Sequence, residues 1–233
     1  MGSFRVLLAK ETKALFISPI AAVVITVFIL LMGYTFTSWL FVSQSASLVR
    51  VMYQAAVLLL VFVPVITMRA FAEERRHGTL ELLLSTPAAE FAIVAAKFGA
   101  CMAVILTMLS LTLVYPAVLQ YFSEPDWGPV YSGYLGLSLL AAALVALGLW
   151  LSALTSNQIV AAIGSMGLFL LLWVGDSLGN LLPDPFDVLA VNASLIAHFT
   201  PFSVGALYLS DFGYFVTVIL LGLFACVRAL ARP

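Results

Sequence analysis

The sequence predicts an all-α polytopic membrane protein: six transmembrane helices, an N-terminal amphipathic helix, and a broken extracytoplasmic hairpin before the last span. Three observations carry this. Of 233 residues, 64% are hydrophobic and 9% charged, against about 25% charged in a soluble domain. No Asp, Glu, Lys or Arg falls within 14–49, 51–68, 98–123, 127–175, 188–210 or 212–227. The basic residues between those runs fall almost all on one side of the crossings. The composition excludes a soluble enzyme, a nucleic-acid binder and a disordered tail, because so few charges cannot cover so apolar a surface.

A spanning helix needs about 20 apolar residues. The runs therefore predict helices over 20–40, 52–69, 97–121, 131–154, 159–175 and 212–230. The 49-residue run 127–175 must be two helices, broken at its polar cluster Thr155-Ser156-Asn157-Gln158. Backbone in lipid must bond within itself, so the spans are helices. The alternation of an outer-membrane barrel is absent. The first run is too long for a cleaved signal peptide, and no small-residue cleavage site follows it. Cys101 and Cys226 sit inside apolar runs and read as small core residues.

Six spans put both termini on one side. Arg5, Lys10, Lys13, Arg69, Arg75, Arg76, Lys97, Arg228 and Arg232 fall there, nine of the ten basic residues, leaving Arg50 alone opposite. Glu124, Asp126, Asp176, Asp184, Asp187 and Asp211 fall on the other side. The positive-inside rule places the termini in the cytoplasm. The whole of 1–233 reads as a single transmembrane domain.

Three segments of that domain do not span. In 1–17, Phe4, Leu7, Leu8, Ala14 and Leu15 form one stripe with Arg5, Lys10 and Lys13 opposite. That is an amphipathic helix on the cytoplasmic surface. Glu11 falls inside the stripe, either snorkelling or meeting a basic partner residue. The loop 69–97 is the most charged stretch. Gly78 ends its incoming helix in a left-handed conformation. Thr79 caps a short helix over 80–85, with Glu81 facing the dipole, and Thr86 and Pro87 open the third span. Leu80, Leu83 and Leu84 would be exposed unless something covers them, and so short a helix needs a docking surface. The segment 177–210 has apolar pieces too short to cross and is expected to cap the outer mouth of the bundle. Asn192-Ala193-Ser194 within it matches a glycosylation sequon.

No P-loop, zincin or nucleophile-elbow motif occurs. His77 and His198 lie on opposite sides, so no metal or catalytic residue is expected. The charge-free cores of the spans hold no Asp, Glu, Lys or Arg, which argues against an ion-coupled carrier.

The run Glu73-Glu74-Arg75-Arg76-His77-Gly78-Thr79-Leu80-Glu81-Leu82-Leu83-Leu84-Ser85-Thr86-Pro87 resembles the signature of ABC-2 type permeases. The family pattern is an E-x-G-T-x-E-x-L-L core between the second and third of six spans, and Arg76 stands here at its first Glu. The whole layout is similar, most of all to the short permease of the gliding-motility-associated ABC transporter group. The permease for nitrous-oxide-reductase maturation is also similar.

The resemblance implies a membrane subunit of an ATP-binding-cassette transporter, usually an exporter, in a bacterial cytoplasmic membrane. Two permeases, identical or related, pair with two copies of an ABC ATPase subunit. ATP and Mg belong to that partner, and this chain itself is no enzyme and holds no cofactor. Glu73, Glu74, Arg75, Arg76, Gly78, Thr79, Leu80, Glu81, Leu83 and Leu84, with Glu11 nearby, would form the ATPase-coupling interface. The first and fifth spans, rich in small residues (Ala21, Ala22, Gly33; Ala161, Ala162, Gly164, Gly167), are the expected dimer interface. Pro64 and Pro116 are expected kinks. Membrane lipid is an expected partner, nucleic acid is not, and a periplasmic or accessory protein fits the outer cap. The alternatives are a stand-alone secondary carrier and a mechanotransmitting subunit that relays ATPase motion to a periplasmic partner without transport.

Overall fold

A computed structural model describes residues 2–43, 47–84, 89–122, 126–179, 183 and 186–231. Among them every regular element is helical. In chain order these are α1 (Gly2–Ile17), α2 (Pro19–Ser43), α3 (Val49–Thr67), α4 (Arg69–Arg76), α5 (Thr79–Leu84), α6 (Glu90–Leu111), α7 (Val114–Phe122), α8 (Trp127–Leu154), α9 (Gln158–Gly179), α10 (Phe186–Asn192), α11 (Leu195–Ser203) and α12 (Leu209–Leu230). Six stretches are long and apolar enough to cross a membrane: α2, α3 with α4, α6 with α7, α8, α9 and α12. The expectations for Glu124, Asp184, Ser85, Thr86, Pro87 and Arg232 lie outside the described residues.

The bundle is built around α8. This helix is apolar all round, as a central helix must be, and packs against α3, α6, α9, α11 and α12. Its face Leu140–Ala146 is buried. The second and fourth spans are the most covered, while the first, fifth and sixth lie at the perimeter. Gly222 of α12 lies against Ala146 of α8 so closely that a Cβ there would stand 2.9 Å from the Ala146 backbone. No larger residue permits that approach.

Three expected boundaries move. The third span starts at Glu90, not at residue 97, so Lys97 lies inside it and is 3% exposed. Asp211 likewise falls in the first turn of α12 and is buried. The spans therefore do hold ionisable groups, and Lys97 and Asp211 each have a partner. The third span also breaks at Thr112–Leu113, one turn before Pro116, which then occupies the first turn of α7 where its missing N–H costs nothing.

The N-terminal helix keeps one side against the bundle and exposes Arg5, Lys10 and Lys13 on the other. It packs along α6, with Leu7 and Leu15 against the core and Leu8 on Gly99. Of the small residues expected at an interface between copies, Ala21 and Ala161 are buried within this chain. Gly164 and Gly167 face outward on α9 with nothing near them.

At the far end α10 and α11 fold back onto α8 and α9. Leu195, Phe199 and Phe202 are fully buried, and Ser132 of α8 donates to the Phe202 carbonyl at 2.7 Å. Ser194 of the sequon is buried and caps α11, accepting from the Ala197 amide.

Candidate functional site

The charged turn between the second and third spans stands on a jointed arm. Pro64 has no N–H to give the Leu60 carbonyl, and α3 ends three residues beyond it at Thr67. The chain turns at Met68 and resumes as α4. A break in a helix leaves amides and carbonyls without partners. Ser152 of α8 supplies them. Its Oγ accepts from the Phe71 and Ala72 amides, both at 3.2 Å, and donates to the Met68 carbonyl at 3.0 Å. Ser152, Phe71 and Ala72 are fully buried. One hydroxyl thus staples the elbow to the central helix.

A second tie holds the arm from its other flank. Lys97 Nζ lies 3.1 Å from Glu11 Oε2 and 2.7 Å from Glu74 Oε1. It therefore joins α1, α4 and α6. The ammonium also sits 5.2 Å from the Phe71 ring centre. Burying a cation is costly unless it is paired, and here two carboxylates meet it. The basic partner of Glu11 is thus in the same chain.

Beyond these ties the turn is open. Gly78 has φ +68° and stops α4, with His77 N–H bonded to the Glu73 carbonyl. Thr79 does not cap α5 as expected. It is the helix's first residue, and its hydroxyl donates back to the Glu74 carbonyl at 3.3 Å. Arg75, Arg76, His77, Gly78, Thr79 and Glu81 are exposed, and Glu73 is half-buried. Leu80, expected to be exposed, is 7% exposed and belongs to the chain's own core. The backbones of Leu83 and Leu84 complete α5. The structure therefore splits the expected set. Glu11, Glu74 and Leu80 face inward, while Arg75, Arg76, Gly78, Thr79 and Glu81 form the tip.

Reading the sequence missed Lys97 and Ser152. Glu11 inside an apolar stripe was a signal that a buried cation lay near. Ser152 in an apolar run gave none.

A charged turn between spans two and three of six, carrying Gly78-Thr79-Leu80-Glu81 on a helix tied to the bundle on two flanks, is a distinctive arrangement. The pattern of the ABC-2 family transporter proteins matches residues 43–227. The chain belongs to that ABC-2 family. No curated protein matches it closely enough to add a relative. The protein is accordingly an ABC transporter permease subunit and a multi-pass membrane protein. ABC-2 permeases are membrane subunits, typically not catalytic themselves, and generally pair with an ABC ATPase subunit. Among the described residues no cluster of three or more His, Cys, Asp or Glu is placed to hold a metal ion. The family match starts at the last residue of α2, so α1 and its contribution to the Lys97 cluster lie outside the matched residues.

Proposed function

We propose that this permease is driven by two copies of a separate ABC ATPase gripping the 75–81 tip, and that it exports its substrate. The observation that carries the reading is the tip itself: six exposed residues on an arm whose base is stapled to α8. A load applied at the tip moves the central helix, because packed elements transmit displacement rather than absorb it. In this reading both termini and the arm are cytoplasmic and the membrane is a bacterial inner membrane, consistent with the sorting of basic residues. ATP and Mg bind in the partner, and this chain carries no cofactor. Two permeases face each other through the first and fifth spans. The outward glycines Gly164 and Gly167 on α9 support the fifth.

The test is Glu81→Lys and Arg76→Glu, both on the open tip. ATPase binding and stimulation should fall at least tenfold while membrane insertion and melting temperature hold. Unchanged ATPase association in both variants overturns the coupling role.

One observation favours a second reading, the mechanical relay. Val188 and Leu189 of α10 and Leu207 beyond α11 are exposed outside the spans, and exposed apolar side chains there suit contact with a protein. A periplasmic protein recovered with the permease, together with ATP-dependent release of that protein and no transport, would favour the relay over export.

A further inference from the structure

We infer that the furrow between α8 and α12, beside the arm, binds the headgroup of an anionic phospholipid. The furrow has a volume of about 430 Å³ and its floor is Ala153, Ala225 and Ala229. Ala153, Ala225 and Ala229 have only a methyl side chain each, which leaves room between the two helices. Trp150 lines one side, a residue that favours the level of lipid headgroups.

Two cations face this furrow. Arg228 is in the last turn of α12 and Arg75 in the last turn of α4. Among the described residues neither has an ion pair. The Arg228 guanidinium lies 5.2 Å from the Phe224 ring centre, and no carboxylate lines the furrow. Two unpaired guanidiniums beside an apolar floor attract a group that is anionic at one end and apolar at the other. The helix beside the furrow is itself open to lipid: Leu220, Leu221 and Phe224 of α12 are each about 60% exposed, an apolar track along the sixth span. A soluble protein's acidic surface fits the two arginines but not this apolar track. A lipid fits both, with phosphate at the arginines and an acyl chain along α12. The inference does not rest on the coupling role, since it concerns the permease without its ATPase.

The experiment uses the full chain in detergent, stripped of lipid and offered equal amounts of phosphatidylglycerol and phosphatidylcholine with matched chains. Native mass spectrometry reads the retained lipid. The wild type should retain phosphatidylglycerol preferentially. Arg75→Gln with Arg228→Gln should lower that preference by about 30-fold, roughly fivefold per interfacial cation. In protein whose Trp39, Trp127 and Trp173 are phenylalanine, phosphatidylglycerol brominated on its chains should quench Trp150 more than brominated phosphatidylcholine. Equal retention of both lipids by the wild type, or equal quenching, overturns the inference whether or not the variant folds. So does a double variant that keeps the lipid preference yet loses the ATPase subunit, which would assign the arginines to protein docking.

Discussion

Replacing Lys97 by methionine keeps the apolar stem and removes the cation that joins two carboxylates. At an effective dielectric of about 20, the 3.1 and 2.7 Å contacts are each worth roughly 5–6 kcal/mol before desolvation. Stripping water from the ammonium offsets several kcal/mol of that. Without the ammonium, the repulsion already present between Glu11 and Glu74, roughly 3 kcal/mol, is no longer offset. Glu74 Oε2 already lacks a partner and is buried. Removing one member of a buried pair costs about 3–5 kcal/mol. The low end applies here, because the glutamate side chains retain 17% and 23% exposure. The expected loss of about 3 kcal/mol lowers the melting temperature by roughly 6–12 °C.

The chain carries its own reporter for this measurement. Cys101 and Cys226 are 1% and 0% exposed, so a thiol-reactive dye labels them only as the bundle opens. Glu11→Gln, Lys97→Met and Glu74→Gln combined remove every charge of the cluster and should melt within about 1 kcal/mol of wild type. A Lys97→Met protein melting within about 2 °C of wild type would refute the argument. A triple variant as unstable as the single one would also refute it, since the loss would then be one of packing.

Two further outcomes test the arm. Ser152→Ala leaves the Phe71 and Ala72 amides buried without an acceptor and should cost about 2–4 kcal/mol, read by the same thiol melt. It should also weaken ATPase stimulation without weakening ATPase binding. Gly78→Ala has open space around the new methyl but a strained φ. It should cost about 1 kcal/mol, and Gly78→Asn less. Hydrogen exchange at the 77–79 amides should quicken while exchange along α8 stays unchanged.

The spans were legible because charge is expensive in hydrocarbon, so the charge-free runs mark the crossings. The same logic misplaced the third span. Lys97 was read as its boundary, when two carboxylates from distant segments allow a lysine two turns inside the helix. Pairing of that kind is invisible to a local pattern. Gly78 was legible because only a left-handed turn explains a glycine between a charged helix and an apolar one. The fate of Leu80 was not, since a leucine stripe reads alike whether its cover is a partner or the chain's own core. The ion pairs took Glu11 and Glu74 out of the exposed set for the same reason: what lies opposite a residue is decided by tertiary packing.

The pairing of α8 with α12 has a consequence for biogenesis. The fourth span is the hub of the bundle, yet the helix that packs most extensively against it is the last of the six to be synthesised. While α9, α10 and α11 emerge from the ribosome, the Ala146 flank of α8 has no protein cover. The nascent chain must wait in the insertion machinery, or against lipid, with its hub half-dressed. Mutations at Gly222 should therefore show up first as chains degraded during insertion, before they show up as weaker transport.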